Sequence, residues 1–450
     1  MGCWLVPSAR SPIRVCALGT RHLRHFQSRG SATGRSVSAA PGGRRADSAL
    51  KELLMGSWLQ DTLSPRRLFD PAGVRWREVD WHILIVAAGI VALGLVFQGA
   101  MDAAEPLGAV GGVSFAGHRE KLLFAAPLLL LALMLRPSWL RRNTHRIFWL
   151  SILLLLALHF IGVERNNARR WIPLPHFDLQ PSELAKVGLV LILSSLLSRR
   201  RLENWGEWIL PIAVVLLPLA LVAAQPDLGT ALTLLPIALG MFHLAGAPWR
   251  SLVGLCLVAV SLGFLGWKSG LVQDYQLERI HTWTSSYEAP DLIEGRYGPA
   301  FHAYQARTAL GNGGWTGTGL GQGVANGART LPERDSDSVF AVMGEEFGFF
   351  GSVGVLLLYS LLPFLLMISA ARQRDRFCRL VVGGVALLFA SHLVIHVAVN
   401  TGLVPMTGLP LPLISAGGSS LLASLLALGL ALGLAAHHGR SLDRDTFRSY

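Results

Sequence analysis

The stretch AGGSSLLASLLALGLALGLAA, residues 416–436, carries no charged side chain and consists only of Leu, Ala, Gly and Ser. A helix needs about 20 mostly apolar residues to cross the hydrocarbon core of a bilayer. Nine further apolar stretches lie at residues 82–100, 122–136, 147–163, 183–198, 208–224, 228–246, 251–267, 338–370 and 380–400. Their residues do not alternate between polar and apolar as barrel strands do. The sequence therefore predicts an all-α polytopic integral membrane protein with about ten transmembrane helices.

The composition agrees with a membrane protein and argues against a nucleic-acid-binding domain. Of the 450 residues, 52% are hydrophobic and only 15% are charged, whereas soluble domains usually carry about 25% charged residues. The net charge of +12 comes almost entirely from arginine, and the arginines lie in short clusters between apolar stretches. A nucleic-acid-binding domain would instead show one basic patch, so we expect no nucleic acid partner. The four cysteines show neither metal-binding nor disulfide spacing.

Basic residues follow every second apolar stretch. The clusters begin after the second, fourth, sixth, eighth and tenth stretches, at Arg136, Arg199, Arg250, Arg372 and Arg440. Cytoplasmic loops of membrane proteins carry an excess of Lys and Arg. The distribution therefore predicts that both termini are cytoplasmic. It also predicts that the long segment 268–337, between spans 7 and 8, is extracytoplasmic.

The predicted domain organisation is simple. Residues 1–75 are expected to form a basic, disordered N-terminal tail, whose arginine-rich, acid-free start resembles a transit peptide. An alternative is an upstream translation start, with the true start at Met55. Residues 76–437 are expected to form the ten-helix membrane domain, and residues 438–450 a short cytoplasmic tail.

Three arginines break the charge rule because they lie in a predicted outer loop. They are Arg165, Arg169 and Arg170, in the segment 162–183. Guanidinium groups bind phosphate bidentately, so these side chains are candidates for a lipid diphosphate. The alternative is that they bind phospholipid headgroups or pair with Asp178 and Glu164.

Two short motifs place polar residues at the outer ends of predicted spans. In QPSELAK, Glu183 and Lys186 are three residues apart and therefore share one helix face; Gln180 and Ser182 precede them. They are candidates to line a polar cavity, or alternatively form a structural pair between helices. In QPDLGTAL, Asp227 faces the same cavity or only caps a helix.

The last two segments of interest are rich in glycine. Residues 304–323 include a glycine run that allows close backbone approach to a ligand, and it leads into LPERDSDSVFAVMGEEFGFFG at 331–351. Glu345 and Glu346 in this motif are expected to pair with polar groups between helices. Residues 400–420, NTGLVPMTGLPLPLISAGGSS, begin at Asn400 and include Ser415. Such irregular backbone lines a cavity or forms a tight connector.

These motifs, together with NNARRWI and GTGLGQG, resemble the SEDS family (shape, elongation, division and sporulation), which includes RodA, FtsW and SpoVE. The resemblance covers about residues 76–437. It implies a peptidoglycan glycosyltransferase that polymerises lipid II, the undecaprenyl-diphosphate-linked disaccharide-pentapeptide, at the outer face of the bacterial cytoplasmic membrane. It also implies a class B penicillin-binding protein as partner, beside other elongation or division complex proteins.

The resemblance assigns the family's essential aspartate to Asp337, as catalytic carboxylate and candidate ligand of a divalent cation, Mg²⁺ or Mn²⁺. Where the family usually has His-Thr-Asp-Phe, this chain has Asp335-Ser336-Asp337-Ser338, and it has Ala416 where Tyr is usual and Asn167 where Gly is common. The remaining candidate substrate-binding or cavity-lining residues are Arg165, Arg169, Arg170, Gln180, Ser182, Glu183, Lys186, Asp227, Glu333, Asp335, Asn400 and Ser415.

Several roles remain open at this level. The segment REVDWHILIV before the first span favours a RodA-like elongation enzyme over an FtsW-like division synthase. A lipid II flippase or transporter is an alternative because broken helices are typical of transporters. A non-catalytic scaffold of a synthase complex is another, because the Asp-Ser-Asp-Ser stretch departs from the family.

Overall fold

The computed structural model describes residues 68–104, 115–165, 168–173, 178–225, 227–268, 281–284, 287, 299–327, 331 and 333–437. The predictions for residues 1–67, including a start at Met55, and for the tail 438–450 lie outside these residues. The helices that organise the fold are α1 Trp81–Ala103, α2 Phe115–Leu133, α3 Pro137–Ile161, α4 Pro181–Leu197, α5 Trp205–Ala224, α6 Leu228–Leu244, α7 Trp249–Lys268, α8 Pro299–Asn312, α9 Val324–Gly327, α10 Val339–Arg372, α11 Arg376–Asn400 and α12 Gly418–Ala436.

The prediction of an all-α polytopic membrane protein is confirmed. Within the described residues, six helices are long and apolar enough to cross a membrane, namely α1, α3, α5, α10, α11 and α12. The other four predicted stretches overlap α2, α4, α6 and α7, and the number of ten crossings stays a prediction. Helices α2 and α3 begin several residues before the predicted stretches because their second turns carry charged residues, which lower the hydropathy at the start of each helix.

Three helices form the interior of the bundle. Helices α11 and α12 are the most buried of the spanning candidates, and most residues of α4 are buried as well. The small residues of the opening stretch explain the position of α12: a Cβ at Gly429 or Gly433 would clash with the backbone of α2 at Leu129 or Leu133. Small residues allow membrane helices to approach this closely.

A small antiparallel sheet, which the hydropathy did not predict, separates α3 from α4. Its strands are β1 Val163–Arg165, β2 Ala168–Pro173 and β3 Asp178–Leu179, with β2 in the middle. Pairing joins Glu164 to Arg169 and Ile172 to Leu179. Pro181 then starts α4 at a position where its missing N–H costs nothing.

The glycine-rich segment makes a close backbone approach to α10, and its predicted approach to a ligand stays a prediction. Thr318 N donates to Glu345 O at 2.9 Å, and Phe349 N donates to Gly314 O at 2.9 Å. Gly348 has φ 67° and ψ −165°, so α10 is two helical parts joined at a kink. A Cβ at Gly348 would overlap the backbone of the glycine-rich segment at Thr316 and Gly317. The glycines therefore fix a backbone-to-backbone contact.

Candidate active site

Asp337 lies in a sharp turn directly before α10. The carbonyl oxygen of Glu333 accepts hydrogen bonds from the N–H groups of Ser336, Asp337 and Ser338, at 3.2, 3.0 and 3.1 Å. Glu333 itself has φ 46°, a left-handed conformation that is uncommon for a residue other than glycine. Strained backbone of this kind persists only where the surroundings enforce it, and it clusters at functional sites.

Neighbouring segments hold this turn through its backbone carbonyls. Asp335 O accepts from Gln98 Nε2 of α1 at 3.1 Å and from Ala416 N at 2.9 Å. Ser415 Oγ donates to Ser336 O at 2.7 Å. The turn is therefore fastened to α1 and to the irregular segment before α12, which leaves the carboxylates of the turn available for other contacts.

Asn400, at the end of α11, completes the attachment. Its Nδ2 donates to Asp337 O at 3.1 Å and to His396 O at 2.9 Å. The structure thus brings the predicted residues Asn400 and Ser415 to the turn of Asp337, where both donate to backbone carbonyls of the turn. Their predicted role in binding substrate or lining a cavity stays a prediction.

The electrostatic surroundings change the chemistry of the Asp337 carboxyl group. Burial raises its pKa to about 7, and the charges of Glu333, Asp335 and Asp227 act in the same direction, while a hydrogen bond from Ser336 acts against them. A carboxyl group with a pKa near the working pH is well suited to take up and release a proton.

Gly408 in the irregular segment leaves room for this carboxyl group. Its φ is +70°, and a Cβ placed there would lie 3.2 Å from Oδ2 of Asp337. Both the conformation and the space favour glycine. The irregular segment therefore provides one wall beside the candidate catalytic group.

Asp227 forms the centre of a second cluster, together with predicted residues from two other segments. Its Oδ2 accepts from Gln180 Nε2 at 3.1 Å, and its Oδ1 lies 3.9 Å from NH1 of Arg170. Asp227 also caps α6 by accepting from Thr230 N at 3.2 Å. The N-cap interpretation of Asp227 is therefore confirmed, whereas its position in a polar cavity stays a prediction. The negative charge of Asp227 also acts on the pKa of Asp337, so the two clusters are electrostatically coupled.

The predicted outer arginines have different positions. Arg170 is partly buried beside Asp227, and its Nε also donates to Gln225 O at 3.2 Å. Arg169 is exposed on β2. The side chain of Arg165 and the residue Asn167 lie outside the described residues.

Glu183 and Lys186 form a buried ion pair inside the bundle. The Nζ atom of Lys186 lies 2.6 Å from Oε1 of Glu183 and 2.7 Å from Nε2 of His392. Both members of the pair are at least 97% buried. The structure therefore supports a connection between α4 and α11, the structural alternative for this motif. The role in a cavity remains a prediction. Ser182 is buried next to this pair, and its hydroxyl has no hydrogen-bond partner among the described residues.

The glutamates of α10 pair with polar groups, as the sequence predicted. Glu345 accepts from Asn312 Nδ2 at 3.2 Å and from Ala325 N at 2.9 Å. Glu346 accepts from Asn326 Nδ2 at 2.9 Å, and Asn326 Oδ1 accepts from Arg334 at 3.0 Å. This chain of contacts connects the glycine-rich segment to the residue that follows Glu333.

Histidines near the site were missed by the sequence reasoning. His302 of α8 places Nε2 2.6 Å from Oγ of Ser338. Ser338 occupies the N-cap of α10, yet its side chain makes no cap hydrogen bond, because its hydroxyl faces His302. Lone polar residues in apolar helices, such as Gln98, His392 and His396, are the sequence feature that would have indicated polar contacts inside the bundle.

A divalent cation would find suitable donor atoms at this turn. Asp337, Asp335 and Glu333 supply carboxylate oxygens, which Mg²⁺ and Mn²⁺ prefer. Among the described residues no three such side chains are grouped closely enough to hold a metal ion by themselves. Mg²⁺ is commonly held by one or two carboxylates together with substrate phosphates, so the donor set fits a cation that arrives with a diphosphate.

The fold and this turn define a multi-pass membrane protein with a carboxyl group of raised pKa at one end of its bundle. The chain belongs to the family described as "Cell cycle protein", FtsW/RodA/SpoVE, which it matches over residues 80–440. It is 33% identical over 362 residues to a probable peptidoglycan glycosyltransferase FtsW of Alkalilimnicola ehrlichii, which covers 78% of this chain and 87% of that relative. It is also 33% identical over 280 residues to the peptidoglycan glycosyltransferase MrdB of Escherichia coli K12, covering 61% and 73% of the two chains.

Solved structures show the same fold. A chain of a peptidoglycan synthase complex that coordinates polymerization and crosslinking superposes with a TM-score of 0.67 at 31% identity, covering 83% of this chain and all of that one. The rod shape determining protein RodA of Thermus thermophilus superposes with a TM-score of 0.59 at 30% identity, covering 83% and 99%. The predicted family is confirmed.

Proposed function

We propose that this protein is a peptidoglycan glycosyltransferase that polymerises lipid II, with Asp337 as the catalytic carboxylate. Membership of the family and the names of its relatives support the activity. The observation that carries the assignment of the site is the raised pKa of Asp337, about 7, in a turn fastened by three other segments.

The reaction joins the C4 hydroxyl of one sugar to C1 of another. The hydroxyl oxygen forms the new bond to C1 while the bond from C1 to the diphosphate oxygen breaks, and the diphosphate leaves with that electron pair. A sugar hydroxyl is a weak nucleophile at neutral pH, so Asp337 takes its proton as general base. An ordinary aspartate is a weaker base, and the raised pKa increases the ability of Asp337 to hold that proton.

The developing charge on the leaving diphosphate requires positive charge nearby. Arg169 is exposed on β2, and Arg170 lies between Gln225 and Asp227. A divalent cation held by Asp337 would supply the same stabilisation to the diphosphate when bound. We propose that Gln180 and Asp227 hold Arg170 in place for this purpose.

We place the reaction at the outer face of the bacterial cytoplasmic membrane, with both termini in the cytoplasm. The described arginine clusters meet at one end of the bundle, where Arg141 contacts Asp375 and Arg376 donates to Arg200 O. The turn of Asp337 lies at the start of α10, the opposite end from Arg372. The positive-inside rule then puts Asp337 outside, where the lipid-linked precursor is presented to the growing wall.

We further propose a partner that crosslinks the glycan strands, a class B penicillin-binding protein. The synthase complex to which the chain is similar couples polymerization with crosslinking. The relatives include both FtsW and MrdB proteins, so they do not distinguish a division role from an elongation role. The segment REVDWHILIV favours elongation.

Incubation of the purified protein with lipid II tests the activity. We expect glycan strands on a gel, more abundant when the penicillin-binding protein of the same organism is co-purified. Transfer of labelled lipid II across vesicle membranes without polymer would favour the flippase class. Absence of both products, with and without the partner, would favour the scaffold.

A further inference from the structure

A polar cavity lies at the opposite end of the bundle from Asp337. Its volume is about 460 Å³, within the range of about 300–1,000 Å³ that is typical of small-molecule sites. The start of α1, the end of α10 and the end of α12 line it. We call it the end pocket. It lies at the arginine-rich end of the bundle and is remote from the proposed reaction.

Two arginines line the end pocket, Arg77 and Arg372, and His82 lines it as well. Its two carboxylates already have partners. Asp80 accepts from Ser369 and lies 3.7 Å from NH1 of Arg372, and Glu78 is 2.8 Å from Arg75.

Positive charge therefore remains in the pocket. Arg77 has no ion pair among the described residues, and it is exposed. The guanidinium of Arg372 is 70% exposed, and 3.7 Å is too long for a hydrogen bond to Asp80, so its N–H donors are available.

The surroundings indicate that the pocket opens at a membrane surface. Trp76 and Trp81 are 43% and 49% exposed, and tryptophan is enriched at membrane–water interfaces. About one turn further along α1 and two turns further back along α10, Ile85 and Phe364 expose apolar side chains. Positive charge at the surface and apolar surface below it match the two parts of a phospholipid.

We propose that the end pocket binds the phosphate headgroup of an anionic phospholipid. Arginine forks match phosphate geometry, and basic pockets between helices at the cytoplasmic surface are suited to anionic headgroups. Arg77 and Arg372 donate to the phosphate oxygens. Gln373 lines the pocket with a buried side chain whose Oε1 has no partner among the described residues, and this oxygen accepts from a headgroup hydroxyl.

Native mass spectrometry of the full-length protein with defined lipids tests the proposal. We expect dioleoylphosphatidylglycerol to bind more tightly than dioleoylphosphatidylcholine, and Arg77→Gln to weaken the phosphatidylglycerol complex about fivefold. Arg372→Gln should act similarly. Arg250→Gln, an exposed arginine at the same end but outside the pocket, is the control and should keep the affinity of the unaltered protein.

Three results would overturn the proposal. Equal binding of the two lipids removes the headgroup preference, and equal weakening in the control shows non-specific attraction by the arginine-rich end. Displacement of the lipid by millimolar inorganic phosphate, in an Arg77-dependent manner, assigns the site to a soluble phosphate instead. Because Arg77 has no ion pair among the described residues, its replacement should leave the melting temperature unchanged, which separates lost binding from lost folding.

Discussion

The polymerisation rate should follow the ionisation of Asp337. Only the carboxylate form accepts a proton from the sugar hydroxyl, and burial with nearby negative charge raises the pKa of this group to about 7. Below that pH the carboxylate fraction falls about tenfold per unit. We therefore expect the rate at pH 6 to be about one tenth of the plateau reached above pH 8.

Glu333→Gln should move this profile in a defined direction. The negative charge of Glu333 raises the pKa of Asp337, so its removal lowers that pKa and shifts the acidic limb to lower pH. The rate at pH 6 then rises relative to the plateau. Glutamine keeps an oxygen that can accept from Ser336, as Glu333 does at 3.2 Å, so the turn should survive.

Initial rates of glycan formation from fluorescent lipid II, measured between about pH 5 and pH 9, test both expectations. Glu203→Gln is the matched control, because Glu203 is exposed and does not belong to the site. It should leave the pH profile unchanged. An acidic limb centred near pH 4 would mean that the base has an ordinary aspartate pKa. A limb that Glu333→Gln does not move would refute the coupling of the two carboxylates.

Three further predictions concern the buried ion pair, the topology and the contact of His302 with the turn. Glu183→Ala leaves the Lys186 charge buried without its partner and should lower the free energy of unfolding by about 3–5 kcal/mol. The double replacement Glu183→Gln and Lys186→Met should have a melting temperature close to that of the unaltered protein. Equal melting temperatures for the two variants would contradict this. Gly311 is exposed and has open space for a side chain. Gly311→Cys should therefore react with an impermeant maleimide in intact cells, and buried Cys378 should not. The reverse pattern would place the site on the cytoplasmic side. His302→Ala should lower kcat about tenfold at unchanged KM, because it loosens the turn at its Ser338 contact. His302→Gln should restore most of the lost kcat. An unchanged kcat in His302→Ala would show that the imidazole does not position the turn.

Hydropathy predicted the helices well because the membrane imposes one strong requirement on each of them. Every apolar stretch overlaps a helix, and the opening stretch 416–436 coincides with α12 to within two residues. The same reasoning did not predict the sheet at 163–179, because its short strands carry charged and aromatic residues without clear alternation. The glycine run predicted a close backbone approach, but the sequence did not show that α10 is one of the elements approached.

The site was predicted by residue type and only partly by role. The motifs named Asp337, Asn400, Ser415, Gln180 and Asp227, and the structure brings these into two coupled clusters. The contact of Gln98 with Asp335 O joins residues that are 237 positions apart. Such contacts depend on which helices are neighbours, and a single sequence with similar apolar faces on all its helices does not contain that information.

The central claim is that Asp337 is the catalytic carboxylate, and polymerisation by two isosteric variants tests it most directly. Asp337→Asn and Asp335→Asn each remove one charge from the same turn with little change in shape. At matched membrane levels and with the same partner, we predict that Asp337→Asn lowers the rate of glycan formation from lipid II by about 10²–10⁴-fold. Asp335→Asn should retain most of the activity. Near-normal polymerisation by Asp337→Asn, or inactivity of Asp335→Asn alone, would contradict the assignment.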